Sequence, residues 1–366
     1  MSNNSIAIQE ESTSDILTFN QLVLFEGILS AARAVISVLG IFGNTINILT
    51  FISMGIKDGF SLSMTLLAGM EIFHLIIIFL RSVAYAFFIV EYATQFVTWF
   101  PVEPFGLYFY IGHVARIFYS MAVVNTTFLS FARCMCVSRP LHFKDMFMAT
   151  KSTVIVCLII TTTVGSYIPM LMTMSMTLQF DSQVNYTRFR LYLTPAREQV
   201  GAITWIVRNA VLPVSTLVAI VSCVIYMSKR LMDSALFRLK SQSFHQIIQS
   251  PNYKKEKTSS TDTLVSNLAS NGTKEDQDLA SKERRAIQQM VVMSIVVIVC
   301  EVPEILISLA SVLVPTFAFL KPFNNIYLAV IGVNHVFQSI NSSVNIIIYW
   351  KYSSRYRQNF YLAKQT

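Results

Sequence analysis

Seven long apolar stretches, each bounded by polar or turn residues, run along the chain at about 27–54, 61–89, 105–137, 151–174, 199–227, 285–313 and 323–350. Each reaches the roughly 20 residues that an α-helix needs to cross bilayer hydrocarbon. The pattern predicts an all-α membrane protein, a seven-transmembrane helix bundle. One interval between the stretches is large. Residues 228–284 carry runs such as Lys254-Lys255-Glu256-Lys257-Thr258-Ser259-Ser260. Such runs bury no core, so the loop is expected to be largely disordered, with its ends prolonging the flanking helices. Beyond the last stretch, Tyr352, Tyr356 and Phe360 recur every four residues among Lys351, Arg355 and Arg357, the pattern of a short amphipathic helix on a membrane surface. The expected organisation is an extracellular segment 1–26, a membrane domain 27–350 and an amphipathic tail 351–366.

Composition excludes a soluble fold. Hydrophobic residues make up 54% of the chain and charged residues 13%, about half the charged share of soluble domains. The formal net charge of +8 would suit nucleic acid, but the basic residues are sorted by topology. Placing the N-terminus outside puts 20 of the 28 Lys and Arg residues on the inner side. Four fall outside (Arg188, Arg190, Arg197, Lys321) and four within spans (Arg33, Arg81, Arg116, Arg208). Inner enrichment is what membrane insertion imposes, and no nucleic-acid partner is implied. Residues 1–26 hold Glu10, Glu11, Asp15 and Glu26, no Lys or Arg, and no signal-peptide pattern. The reading is a multi-pass plasma-membrane protein with its N-terminus extracellular and C-terminus cytoplasmic. The five cysteines lie in or beside spans, so no extracellular disulfide framework is expected.

Several polar motifs stand in order on these spans. They are Gly43-Asn44 with Asn47 in the first, Arg133 closing the third before Arg139-Pro140-Leu141, and Pro213 in the fifth. Cys300-Glu301-Val302-Pro303 follows in the sixth and Asn345-Ile346-Ile347-Ile348-Tyr349 in the seventh. Together they resemble the rhodopsin-like G-protein-coupled receptors over nearly the whole chain. The resemblance implies a receptor that passes an extracellular signal to a heterotrimeric G protein, with Arg133, Pro303, Asn345 and Tyr349 in its activation switch. The runs Phe131-Ala132-Arg133-Cys134-Met135-Cys136-Val137 and Asn341-Ser342-Ser343-Val344-Asn345 also resemble the divergent chemosensory-type receptors of molluscs. The chain departs from the family pattern at Ala132, Glu71, Glu301 and Ile346, and at Tyr108, where a cysteine usually tops the third span. Glu283, 20 residues before Pro303, resembles the family's partner for the inner arginine. An Arg133–Glu283 latch across the inner face is therefore expected.

Ionisable residues inside spans are costly and point to function. Arg116 stands 17 residues from Arg133, and Glu301 18 from Glu283. At 1.5 Å of rise per residue both lie about 26 Å above the inner mouth. Glu304 is one turn above Glu301, His113 one turn above Arg116, and Arg208 and Arg81 approach from the fifth and second spans. Arg81, His113, Arg116, Arg208, Glu301 and Glu304 form the expected ligand-binding set, for a small charged or zwitterionic molecule or a peptide end. Two uses stay open: the charges pair only with one another, or a ligand competes for one partner. Nearer the middle, Glu71, Asn44, Asn341, Ser342 and Asn345 are expected to make a polar core.

His74 and His335 stand at no metal-ligand spacing, and neither a metal nor a cofactor is expected. The outer sequons at Asn3 and Asn185 are glycosylation candidates. Ser and Thr at 258–263 suit kinases, with arrestin a further expected partner at that loop. No phosphate-binding glycine loop or nucleophile–base pair points to an enzyme. The competing reading is a polytopic transporter or channel for a small charged solute. It would call for repeated, glycine-broken halves, and the 12 glycines do not pair in that way.

Overall fold

The computed structural model describes residues 17–56, 59–138, 149–205, 208, 211–248, 262–319 and 321–363. Four long helices come first: α1 (Phe19–Ser53), α2 (Gly59–Ala93), α3 (Pro104–Ser138) and α4 (Ala149–Met172). A β-hairpin follows, β1 (Met174–Asp181) and β2 (Tyr186–Leu193). Then come α5 (Arg197–Trp205), α6 (Leu212–Ile248), α7 (Asp262–Leu313), α8 (Asn324–Ser343), α9 (Asn345–Tyr352) and α10 (Ser354–Ala363). The bundle closes on itself, with α1 packed on α2 and α8, α3 on α2, α4 and α6, and α7 on α6 and α8.

Six helices, α1 to α4, α6 and α7, are long and apolar enough to cross a membrane. α8 is less apolar because its inward face carries Asn334, His335, Gln338, Ser339, Asn341 and Ser342, all buried. The amphipathicity is inverted relative to a soluble protein. On α1 the apolar Leu24, Ile28, Val35, Leu39, Phe42 and Leu49 face outward, while Glu26, Arg33, Ser37, Asn44 and Asn47 are buried. Phe42 is 69% exposed and its near neighbour Asn44 only 1%. Lipid, not water, is the solvent this surface fits. A capping box, Thr18 with Gln21, starts α1. Further along, Gly40 lets α8 approach so closely that a Cβ there would lie 2.1 Å from Ser343 Oγ.

Several sequence expectations are corrected here. The fold is not purely α, since β1 and β2 pair antiparallel from Met174↔Leu193 to Asp181↔Tyr186. α1 begins at Phe19, so Glu26 belongs to the membrane helix and not to an outer segment. Loop 228–284 is helical over most of its length, because α6 runs to Ile248 and α7 starts at Asp262. The stretch 249–261 lies outside the described residues. The expected single fifth span is described in two pieces, α5 and α6, with π-helical Arg208 and Val211 between them, and Pro213 is the second residue of α6. Pro303 does sit inside α7, and Pro169 inside α4. α10 docks on the bundle through Tyr356, which is 1% exposed and whose hydroxyl donates to Asn47 Oδ1 at 2.7 Å.

Candidate functional site

A cavity of about 20 Å³ lies between α3, α4, α6 and α7, little more than one water molecule needs. α3 lines it with Tyr119, Ser120, Val123 and Val124, α4 with Tyr167, α6 with Leu212, Pro213 and Thr216, and α7 with Glu301 and Glu304; Arg208 completes the wall. Arg116 Nη1 lies 3.1 Å from Glu304 Oε1. Glu304 Oε2 also accepts from Gln338 Nε2 at 2.6 Å and Asn334 Nδ2 at 3.3 Å. The Arg208 guanidinium stacks 4.5 Å from the centre of the Tyr167 ring, and Tyr167 shares a 2.5 Å hydrogen bond with Ser120. Glu301 is hydrogen-bonded to the Tyr119 hydroxyl, and its Oε1 is buried with no partner. Of the six expected ligand residues, the structure gathers Arg116, Arg208, Glu301 and Glu304. His113 lies just outside, half-buried, with Nδ1 3.0 Å from the Phe109 carbonyl.

Arg81 belongs to a different group, one that sequence reasoning did not assemble. Its Nη2 donates to the Tyr108 hydroxyl at 2.5 Å, which donates in turn to Glu26 Oε1 at 2.5 Å. Glu26 also pairs with Arg33, whose Nη1 donates to the Gly332 carbonyl at 3.1 Å. Tyr108, at the usual position of a cysteine, is thus a polar bridge between α1, α2 and α3. Gly112 makes room for Arg81, since a Cβ there would come within 3.1 Å of Nε.

In a third group, Glu71 accepts from Asn345 Nδ2 at 2.5 Å, and Asn44 Nδ2 donates to the Ser342 carbonyl at 2.7 Å. His74 Nδ1 meets Ser342 Oγ at 2.9 Å, and Asn47 joins Asn44 at 3.0 Å. Asn341 Nδ2 reaches the Tyr119 hydroxyl at 3.4 Å, so the network touches the cavity wall. Tyr349 is buried against Phe51 and Tyr356. Arg133 is half-buried near the inner end of α3, beside buried Ala132. Glu283 lies in α7, but its side chain, like Arg139-Pro140-Leu141, is outside the described residues.

The hairpin packs on α3 and is pinned by charge. Arg188 lies 2.6 Å from Glu91 and 2.7 Å from Asp181, all three side chains being 1% exposed. Arg190 lies 3.4 Å from Glu103 and 3.6 Å from Asp181. The backbone joins in: Glu103 N–H donates to the Phe189 carbonyl at 2.8 Å, and Phe189 N–H to the Pro101 carbonyl at 3.0 Å. No described cysteine is in a disulfide. Asn185 sits exposed at the hairpin tip with φ 52°, a conformation asparagine tolerates better than most residues; Asn3 is outside the described residues.

A family model described as serpentine type 7TM GPCR chemoreceptor Srx matches residues 34–251, more than half of the 366 residues. No curated protein matches the chain. The match carries the chemosensory side of the resemblance; neither the rhodopsin-like class nor a mollusc grouping is part of it. With its helical bundle and six apolar spans, the chain belongs to the serpentine G-protein-coupled chemoreceptor family Srx, multi-pass plasma-membrane receptors whose partners are an extracellular ligand and a G protein.

Proposed function

We propose that this chemoreceptor takes a small polar ligand, a charged or zwitterionic molecule or a peptide end, into the cavity between α3, α4, α6 and α7. Binding there releases its inner face toward a heterotrimeric G protein. One observation carries the reading: the two cavity carboxylates, Glu301 and Glu304, flank Pro303 in α7. A proline inside a helix removes a backbone hydrogen bond and makes a hinge. A ligand that draws on either carboxylate therefore acts at the point where α7 bends most easily. Arg208 and Arg116 supply guanidinium groups, which hold carboxylates in bidentate fashion. Pairing of Arg116 with Glu304 at rest fits a ligand that competes for one partner of an existing pair.

In this reading α8 and α9 together make the seventh crossing, with the N-terminus outside and α10 inside. Arg133 engages the G protein once α7 swings outward, and Glu283 holds Arg133 in the closed state. Glu71, Asn44, Asn341, Ser342 and Asn345 transmit the change, and the 258–263 segment receives kinases and arrestin. The test is G-protein activation in cells expressing wild type, Arg133→Ala or Arg208→Gln at matched surface levels, screened with pooled amino acids, amines, nucleotides and short peptides. A response lost in both variants is expected. A ligand response that survives Arg208→Gln would move the ligand out of this cavity, and ligand-driven current or uptake without G-protein activation would favour a transporter.

A further inference from the structure

We propose that the group around Arg81 is a binding site for a small monovalent anion, a halide such as chloride, separate from the cavity. The group joins four helices: Arg33 on α1, Arg81 on α2, Tyr108 on α3 and the Gly332 carbonyl on α8. Arg81 is 3% exposed and Arg33 0%. Only one carboxylate serves these two guanidiniums. Glu26 pairs with Arg33 and accepts from the Tyr108 hydroxyl, and its other oxygen lies against Gly332. Arg81 reaches the Tyr108 hydroxyl and packs on the Tyr108 ring, 4.1 Å from its centre. Two arginines less one glutamate leave one positive charge buried in the bundle.

Its partners set Arg81 apart. Arg33 has Glu26, Arg116 has Glu304, Arg188 has Glu91 and Asp181, and Arg190 has Glu103. Arg81 pairs with no carboxylate among the described residues, and the acceptor it does have is a neutral phenol. Its Nε and Nη1 are buried with no hydrogen-bond acceptor. Gly112 keeps a side chain off this guanidinium, since a Cβ there would come within 3.1 Å of Nε and 3.3 Å of Cζ. On α1, Arg33 Nε and the Ser30 hydroxyl are likewise buried without partners. Ser30 stands four residues after Glu26 and three before Arg33, so all three share one helix face. Unmet donors therefore gather where positive charge is in excess. A buried ion is costly unless an opposite charge meets it, and the deficit here sets the class of the ligand. One excess charge calls for a monovalent anion. The open groups of Arg81, Arg33 and Ser30 can all donate, so they suit a ligand that only accepts. Burial of the whole group calls for a compact one, and a halide meets all three conditions.

The test uses the purified full chain in lipid nanodiscs, with thermal unfolding followed as sodium chloride or sodium bromide replaces sodium gluconate at constant ionic strength. The unfolding temperature of the wild type should climb with the logarithm of halide concentration, as it does for a ligand bound by the folded state alone. Arg81→Gln removes the excess charge, so it should unfold at one temperature in all three salts, and no lower than the wild type does in gluconate. A wild type indifferent to halide, or a halide response as large in Arg81→Gln as in the wild type, would overturn the site. Equilibrium binding of radioactive chloride to the wild type gives a second reading that needs no variant to fold: one saturable site per chain is expected, and absence of saturable binding would overturn the proposal. Arg81 is no part of the cavity wall, so either result leaves the receptor reading of the cavity to its own test.

Discussion

The ion pairs of the hairpin offer a sharp test of how this receptor holds that hairpin on the bundle without a disulfide. In Arg188→Met the side chain keeps nearly its length but loses its charge, leaving Glu91 and Asp181 buried with no guanidinium between them. Both lay within 2.7 Å of Arg188. Removing one partner from a buried ionic group costs about 3–5 kcal/mol, since the remaining charges stay desolvated. That cost falls on the docked hairpin and not on the bundle, so it should favour undocking by a factor on the order of a hundred to several thousand. Hydrogen exchange at the amides of Glu103 and Phe189 reads this directly, because each is donated across the dock, at 2.8 and 3.0 Å. Exchange at both should accelerate by that factor while the amides of α2 and α3 below stay protected. Adding Glu91→Gln and Asp181→Asn to Arg188→Met should recover part of the loss, since neutral groups are cheaper to bury. Acceleration of less than about tenfold in the single variant, or equal acceleration throughout α3, would show that the charges do not hold the hairpin.

Three further outcomes are expected. Gly40→Ala would drive a Cβ to within 2.1 Å of Ser343 Oγ and 2.7 Å of Leu75; it should destabilise the receptor by about 1–3 kcal/mol, read as a lower unfolding temperature, and an unchanged temperature would contradict the close α1–α8 approach. Glu304→Gln removes the carboxylate paired with Arg116 and should cost about 3–5 kcal/mol, with loss of surface expression that Arg116→Gln in the same chain partly restores; full expression of the single variant would argue that the pair is not buried in the cell. Asn185→Gln should abolish a glycosidase-sensitive mobility shift, and a wild-type band indifferent to glycosidase would exclude glycan at this tip.

The sequence makes the membrane helices legible because hydrocarbon imposes one long apolar run per crossing, and it makes the depth of Arg116 and Glu304 legible because helical rise is constant. It hides Glu26, which precedes the apolar run it belongs to, so that its tie to Arg33 and Tyr108 appears only once α1 is seen to begin at Phe19. It hides the roles of Arg188 and Arg190, since charge counting records the side of the membrane and not the partner. A signal for the hairpin was present in the alternation of Tyr186-Thr187-Arg188-Phe189-Arg190-Leu191-Tyr192-Leu193, whose period of two is that of a strand.

One of the departures from the expected receptor pattern stands beside the hinge. Glu301, two residues before Pro303, takes the place where the resemblance expects an aromatic residue, and it is bonded to Tyr119 on α3, whose hydroxyl also receives Asn341 of α8. Asn341 lies beside Ser342, which contacts Asn44 through its carbonyl and His74 through its hydroxyl. An aromatic toggle would work by rotating a bulky ring; here a carboxylate and a phenol carry the same junction through hydrogen bonds. Such a bond is sensitive to displacement of a few tenths of an ångström, whereas packed rings tolerate sliding. In the proposed reading, a shift of Glu301 toward a ligand releases Tyr119 and loosens α3 from α8 in the same step. Because Pro303 leaves the Val299 carbonyl without its helical donor, α7 can bend at that level without breaking a further backbone bond. On that reading the carboxylate that lines the cavity and the proline that lets the helix move are two residues apart, and ligand capture and helix release would be a single mechanical event.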